Sequence, residues 1–312
     1  MALRSLRCLA TGVASLLVFT ACGPSKPAAT SSVAPASSPA AAVDELLAAD
    51  RSFAAASGRT DGVGGLAAMF AADVVMPVPG AFAEGKAGVL DALGRDPDNA
   101  TSRFGWGPIR GGASADGRQG FTLGYMTRRA PDGSVTPFKY LAYWVRGDEG
   151  WRVAAFNRRR RPAETPGTLM PPAVPARSVS PSADSTAIER YRRSLGDAER
   201  AFSDDAQRVG LRAAFVKYGS ADAVNMGGRD HVEFVVGADS IAAVVAVGEP
   251  PTGSSVSWGP DRVIVASSGD LGVTIGTIVV NEPDSTGARA KFPFFTVWRR
   301  ASPDQPWRYV AE

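Results

Sequence analysis

His231 is the chain's only histidine, so neither a multi-histidine metal centre nor a serine, histidine and aspartate relay has the side chains it needs. It lies in Gly228-Arg229-Asp230-His231-Val232-Glu233, a turn leading into an extended segment. There it reads as a surface or rim residue or, in the sharper alternative, as a general base. Asp230, His231 and Glu233 could in type hold a metal ion, but side chains alternate in direction along a strand and are drawn apart. Proton transfer is the chemistry for which material remains: a carboxylate in an apolar pocket moves the proton and a tyrosine steadies the enolate oxygen. Asp73, Tyr125 and Tyr143 are the candidate catalytic set, and Trp106, Tyr140, His231 and Trp258 the candidate ligand contacts. The competing reading gives Asp73 to a helix end and the tyrosines to core or rim, with polar tips at the surface. No motif calls for a cofactor or a metal.

These residues are positioned by elements whose period changes once along each half of the chain. Val43, Leu46, Leu47, Phe53 and Ala54 fall at helical spacing over 43–57, with Asp44 and Glu45 in the first turn, where the helix dipole favours negative charge. A glycine-loosened helix is expected near 65–70 and a third near 86–93. From Phe104 the pattern turns extended, over 104–112, 118–129, 137–147 and 150–157, broken by turn formers such as Asp116-Gly117 and Pro131-Asp132-Gly133. Helices are expected again over 187–206, 209–218 and 238–247, then strands over 255–266, 271–281, 290–300 and 306–311. About three helices followed by an antiparallel meander, in each half, is an α+β plan with helices packed on one face of a curved sheet.

The two halves repeat one another. Asp50-Arg51-Ser52-Phe53 answers Glu199-Arg200-Ala201-Phe202, Trp106-Gly107-Pro108 answers Trp258-Gly259-Pro260, and Gly120-Phe121-Thr122-Leu123-Gly124 answers Gly272-Val273-Thr274-Ile275-Gly276. Trp144 then matches Trp298, and Trp151-Arg152 matches Trp307-Arg308. The offset between partners drifts only in loop-like stretches, as a duplicated domain requires. Tryptophans that recur by copy fit shared core packing better than ligand stacking.

At 312 residues and 45% hydrophobic content the chain has room for two ordinary domains. Residues 43–157 carry 12 basic and 13 acidic side chains and residues 185–312 carry 14 and 16, so the overall positive charge lies outside both domains. Neither half has a net basic balance, which argues against nucleic acid as a partner. Residues 22–42 and 158–184 are rich in proline, serine and alanine and read as a disordered tether and a linker, the latter opening on the solvated charge run Arg158 to Arg161. Contact of that run with anionic lipid is the alternative. In Phe121 to Met126 and in Val273 to Val280 both strand faces are substantially apolar, so the second face is expected to meet protein. The two halves are therefore expected to pack as an internal pseudo-dimer, with two beads on a string as the competing arrangement.

The amino terminus resembles that of a bacterial lipoprotein: Arg4 and Arg7, an uncharged apolar run too short to span a bilayer, then Phe19-Thr20-Ala21-Cys22-Gly23 in the manner of a lipobox. The resemblance implies a signal peptide over 1–21, cleavage before Cys22, and a lipid on its sulfur that holds the chain to the cell envelope, at the outer membrane facing the periplasm in a Gram-negative cell. Loss of the leader removes Cys8 and leaves no pair for an intrachain disulfide. Ala49-Asp50-Arg51-Ser52-Phe53, Leu66 to Asp73, Pro79-Gly80, Gly85 before a short helix, and strands bearing Trp144 and Trp151 resemble the SnoaL-like branch of the nuclear transport factor 2-like fold. The second copy repeats the pattern except at Pro79-Gly80, where it has Met226-Gly227-Gly228. The resemblance implies two cone-shaped domains, 43–157 and 185–312, whose mouths can hold an apolar ligand. It leaves three expectations open: non-catalytic binding of a small apolar molecule or an envelope protein, an isomerase, cyclase or dehydratase using a pocket carboxylate and a tyrosine, or a scaffold with filled cones.

Overall fold

The computed structural model describes residues 38–60 and 62–312; the signal segment, Cys22 and the tether up to residue 37 lie outside the described residues. The first half runs α1 (Pro39–Ser57), α2 (Gly64–Ala67), β1 (Phe70–Val78), β2 (Ala81–Glu84), α3 (Gly85–Gly94), α4 (Asp98–Thr101), β3 (Arg103–Ala113), β4 (Gln119–Arg129), β5 (Val135–Gly147) and β6 (Gly150–Arg160). The second runs α5 (Ser185–Val209), α6 (Leu211–Tyr218), β7 (Gly219–Asn225), β8 (Val235–Val236), α7 (Ala238–Val245), β9 (Val256–Val265), β10 (Leu271–Val280), β11 (Lys291–Arg299) and β12 (Arg308–Ala311). The two sheets are six-stranded with matching orders, β2-β1-β6-β5-β4-β3 and β8-β7-β12-β11-β10-β9. The fold is α+β, with helices leading into a curved sheet in each half. Strands β1 and β6, and likewise β7 and β12, pair in parallel, so each sheet is mixed. The hairpin β1-β2 and its counterpart β7-β8 add two strands per half to the expected four. Among the described residues no helix is long and apolar enough to cross a membrane.

Each long helix starts on a side-chain cap. The Ser38 hydroxyl accepts from Ala41 N, and Asp184 accepts from Ala187 N, satisfying donors the helix itself leaves open. Helix α1 thus begins inside the stretch expected to be tether. Its buried stripe is Ala42, Val43, Leu46, Asp50 and Ala54; that of α5 includes Leu195, Glu199, Phe202 and Ala206. A carboxylate stands in the middle of each apolar stripe.

Glycines set the approach of strands and helices. A Cβ at Gly124 would lie 2.1 Å from the Gly107 carbonyl oxygen, and one at Gly276 only 2.0 Å from that of Gly259. Both sites adjoin a register shift, between Pro108 and Arg110 and between Ile275 and Gly276, where the sheet bends.

The concave faces pack on the helices of their own half. The outer faces share one hydrophobic cluster that takes Phe121, Leu123, Leu141 and Tyr143 from the first sheet and Val273, Ile275, Phe295 and Val297 from the second. Polar contacts cross the same boundary, the arginine and aspartate contacts as a matched pair. Arg110 meets Asp222 and its counterpart Arg262 meets Asp73, while Asp116 accepts from Ser268 N and Asp270 from Ala115 N. Pairing of residue with counterpart in both directions is the mark of a two-fold interface.

The linker differs from its expectation. Arg158 to Arg160 complete β6, and Arg161 is buried with its guanidinium 4.0 Å from the Tyr125 ring centroid. The charge run is therefore split: Arg159 and Arg160 are exposed as expected, whereas Arg161 is buried and Arg158 half-buried against aromatic rings. Beyond it the chain runs along the free edge of β3, where Met170 N donates to Ile109 O and Ala173 N to Gly111 O.

Candidate functional site

Helix α5 and strands β9, β10 and β11 converge on Glu199. Its Oε1 accepts from Trp258 Nε1 at 2.7 Å; its Oε2 accepts from Trp298 Nε1 at 2.9 Å and from the Thr274 hydroxyl. All three donors are neutral. Burial pushes the carboxyl above its ordinary range, and the three hydrogen bonds pull the other way. At the end of β12 stands Glu312, whose Oε1 is buried and has no hydrogen-bond partner among the described residues. Burial first, and the neighbouring Glu199 charge second, push Glu312 up to about 8, against a hydrogen bond from the Asn225 side chain.

Above this acidic floor opens a cavity of about 810 Å³. Phe202, Leu211, Val244, Ile278 and Phe294 supply apolar wall, and Trp258 and His231 line it as well. The segment Met226-Gly227-Gly228 lines the same cavity, as do Asn157 and Arg159 of the first half. Three side chains of the first half hold this segment and the residues after it. Arg159 donates to Gly227 O, the Lys139 ammonium donates to His231 O at 2.7 Å and to Glu233 O at 3.0 Å, and Tyr125 donates to the Glu233 carboxylate. Lys139 is fully buried, and burial lowers it to about 8.

The first half has the same floor under a different filling. Asp50 accepts from Trp106 Nε1 at 2.5 Å and from the Tyr140 hydroxyl at 2.8 Å, and burial raises its carboxyl too. The strand pairings align Tyr140 with Phe294 and Phe156 with Glu312. Phe104, Met126, Phe138 and Phe156 are packed on the concave side, and the Arg158 guanidinium lies 4.9 Å from the Phe138 ring centroid and 5.4 Å from that of Phe104. Burial pulls that guanidinium down to about 10.

Asp73, Tyr125 and Tyr143 are not brought together. Strand alternation sends all three to the outer sheet faces, because Tyr125 shares the face of Phe121 and Leu123, Tyr143 that of Leu141, and Asp73 that of Val75. Asp73 is largely exposed and pairs with Arg262, Tyr125 bonds Glu233, and the Tyr143 hydroxyl donates to Gln119 Oε1 at 2.5 Å. Trp106 and Tyr140 meet at Asp50, while Trp258 and His231 share the second-half cavity. Glu233 turns to Tyr125 and Thr165, away from any shared set with His231, whose Nδ1 accepts from Gly228 N at 3.2 Å. Asp50, Glu199 and Glu312 were not singled out for chemistry. The signal for the first two was a charged residue inside an apolar helical stripe, repeated at the same place in both copies.

A smaller cavity of about 400 Å³ lies where the linker near 174–179 crosses Asp222, Asp270 and Arg299. Three of its charged groups are engaged: Asp222 with Arg110, Asp270 with Ala115 N, and Arg299 with Val174 O.

No family model matches the chain, and no curated protein matches it. Among solved structures it is similar to a ketosteroid isomerase-like protein from Erwinia carotovora atroseptica, with 16% identity over 38% of this chain and 95% of that one, at a TM-score of 0.30. An NTF2-like protein of unknown function from Pseudomonas putida gives 16% identity over 38% of this chain and 86% of that one, at 0.30. An NTF-2 like protein of unknown function from Shewanella oneidensis gives 12% identity, 37% and 96% coverage, and 0.31.

Proposed function

We propose that the second half binds a small, predominantly apolar molecule in the cavity above Glu199 and Glu312, and that the first half is a filled copy that completes and steadies its rim. The difference between the two cones carries this reading. One ancestral floor, a helix carboxylate held by a strand tryptophan, lies under packed aromatic and arginine side chains in one copy and under open space in the other. A volume of about 810 Å³ with apolar walls and a few polar groups has the size and lining of a small-molecule site. The version of an isomerase, cyclase or dehydratase that works through Asp73 and a tyrosine lacks its geometry, since those groups face the other half.

We further propose that the chain acts at the cell envelope, held there by a lipid on Cys22. The charged, apolar and small-residue order before that cysteine supports the anchor. Replacing Cys22 by serine is expected to release the protein from the membrane fraction.

Binding is tested by titrating the full chain with the neutral fluorophore N-phenyl-1-naphthylamine. Saturable enhancement with quenching of tryptophan fluorescence is expected, and Ile278→Trp, which places an indole in the cavity, should weaken it by about tenfold or more. Equal affinity in the variant would remove this cavity as the site.

A further inference from the structure

Resting on that binding reading, we infer that the occupant of the cavity is an apolar molecule carrying one basic nitrogen, held as a cation against Glu312 beside Glu199. Glu312 lines the cavity, and its Oε1 is buried without a partner among the described residues. Glu199 lines it too, with both oxygens taken by Trp258, Trp298 and Thr274, none of which carries charge. Neither glutamate forms an ion pair with a described residue. Arg159 also reaches the lining, but it donates to Gly227 O and answers electrostatically to burial and Arg229, not to the glutamates. His231 spends its Nδ1 on Gly228 N.

The contrast between copies points the same way. Phe156 occupies the Glu312 position in the filled half, so the second acid stands only where the cone is open. Neither carboxyl is ion-paired with a described side chain, so an anionic guest meets like charge whenever either is ionised and a neutral guest brings no charge to pair with. An ammonium supplies the missing opposite charge and a donor for the unpartnered oxygen. Because Glu312 is held near 8, it is mostly protonated at pH 7. Binding of an already protonated amine therefore breaks the Glu312 O–H bond, passes that proton to the buffer, and leaves a carboxylate paired with the ligand's ammonium.

The probes are three rigid molecules of one shape: 1-aminoadamantane, 1-adamantanol and adamantane-1-carboxylate, each displacing N-phenyl-1-naphthylamine from the full chain. The amine is expected to bind about tenfold or more tighter than the alcohol, and the carboxylate weaker than both. Calorimetry of the unaltered protein near pH 7, in two buffers of different ionisation enthalpy, should show release of about one proton per amine bound and none per alcohol. E312Q should bring the amine down to the alcohol's affinity while alcohol binding persists. Equal affinity of amine and alcohol in the unaltered chain, or amine binding without proton release, would overturn the inference. If the fluorophore binds but the amine shows no advantage, this inference falls and the binding reading stands; if the fluorophore does not bind, both fall.

Discussion

At the residue scale, Glu199 is buried among neutral donors and serves as the common acceptor of two indoles and a hydroxyl. Glu199→Ala leaves Trp258, Trp298 and Thr274 without that acceptor and opens space beneath them. A loss of about 2 kcal/mol or more is expected in urea unfolding, since Trp258 loses its acceptor and a cavity opens, while Trp298 keeps Thr274 Oγ1 and Thr274 keeps Thr296 O. Glu312 gives a pH signature. Its folded value, about 8, lies above its ordinary 4.5, so the native state holds a proton that the unfolded chain has already released between those pH values. Stability from this group is fully present below about pH 4.5 and is lost as pH rises toward 8. Thermal melts followed by circular dichroism should show a shallower decline over that window in E312Q than in the parent, and a higher melting temperature for E312Q at pH 8. The sequence displayed Asp50 and Glu199 as repeated landmarks, but not their burial. Glu312 carried no signal, because its meaning depends on which face of β12 meets the cavity.

At the scale of elements, the Gly-x-x-x-Gly runs of β4 and β10 mark where helix and bent neighbouring strand both come close. The site of Gly120 abuts Leu46 of α1 and that of Gly272 abuts Leu195 of α5, each leaving 2.5 Å for a Cβ. Gly276→Ala forces a methyl onto the Gly259 carbonyl, and because backbone cannot yield as a side chain can, a loss of about 2 kcal/mol is expected in chemical denaturation. Of the elements, the three second-half helices and the long antiparallel strands of both halves were legible within a few residues from periodicity and turn formers. The hairpins β1-β2 and β7-β8 were not. Phe70 to Val78 contains Pro77 and polar Asp73, and its strand is held by the short β2 on one side and by β6, a parallel partner from eighty residues away, on the other. Arg158 to Arg161 read as solvated because charge runs usually are. Here Arg159 and Arg160 are exposed, but Arg158 of β6 places its guanidinium in the first cone and Arg161, just past the strand, places its own on the ring of Tyr125.

For the whole molecule, the outer faces of the two sheets are one core. Val273, Ile275, Phe295 and Val297 are at most 3% exposed within the full chain, and the first half covers them. Residues 185–312 expressed alone would present that face to water. The fragment is expected to self-associate or precipitate, and analytical ultracentrifugation at micromolar concentration should show no stable monomer; a well-behaved monomer would mean that the shared core is dispensable. The interface also explains Asp73 and Tyr125, which looked available for chemistry and instead hold the second half, and Lys139, whose ammonium satisfies two carbonyls beside the cavity rim.

Sequence alone determined the duplication, the α+β class, most element positions and the two-sided apolar character of the central strands. These follow from local periodicity and from residues repeated in order, which need no knowledge of what lies across the chain. Tertiary structure decided which cone is filled and which is open, that Asp73 pairs with Arg262 rather than with a tyrosine, and that Glu199 and Glu312 share a floor. Such facts depend on how strands separated by a hundred residues or more are registered, and on the choice of one pleat face over the other. A shift of one residue would reverse every assignment along the strand.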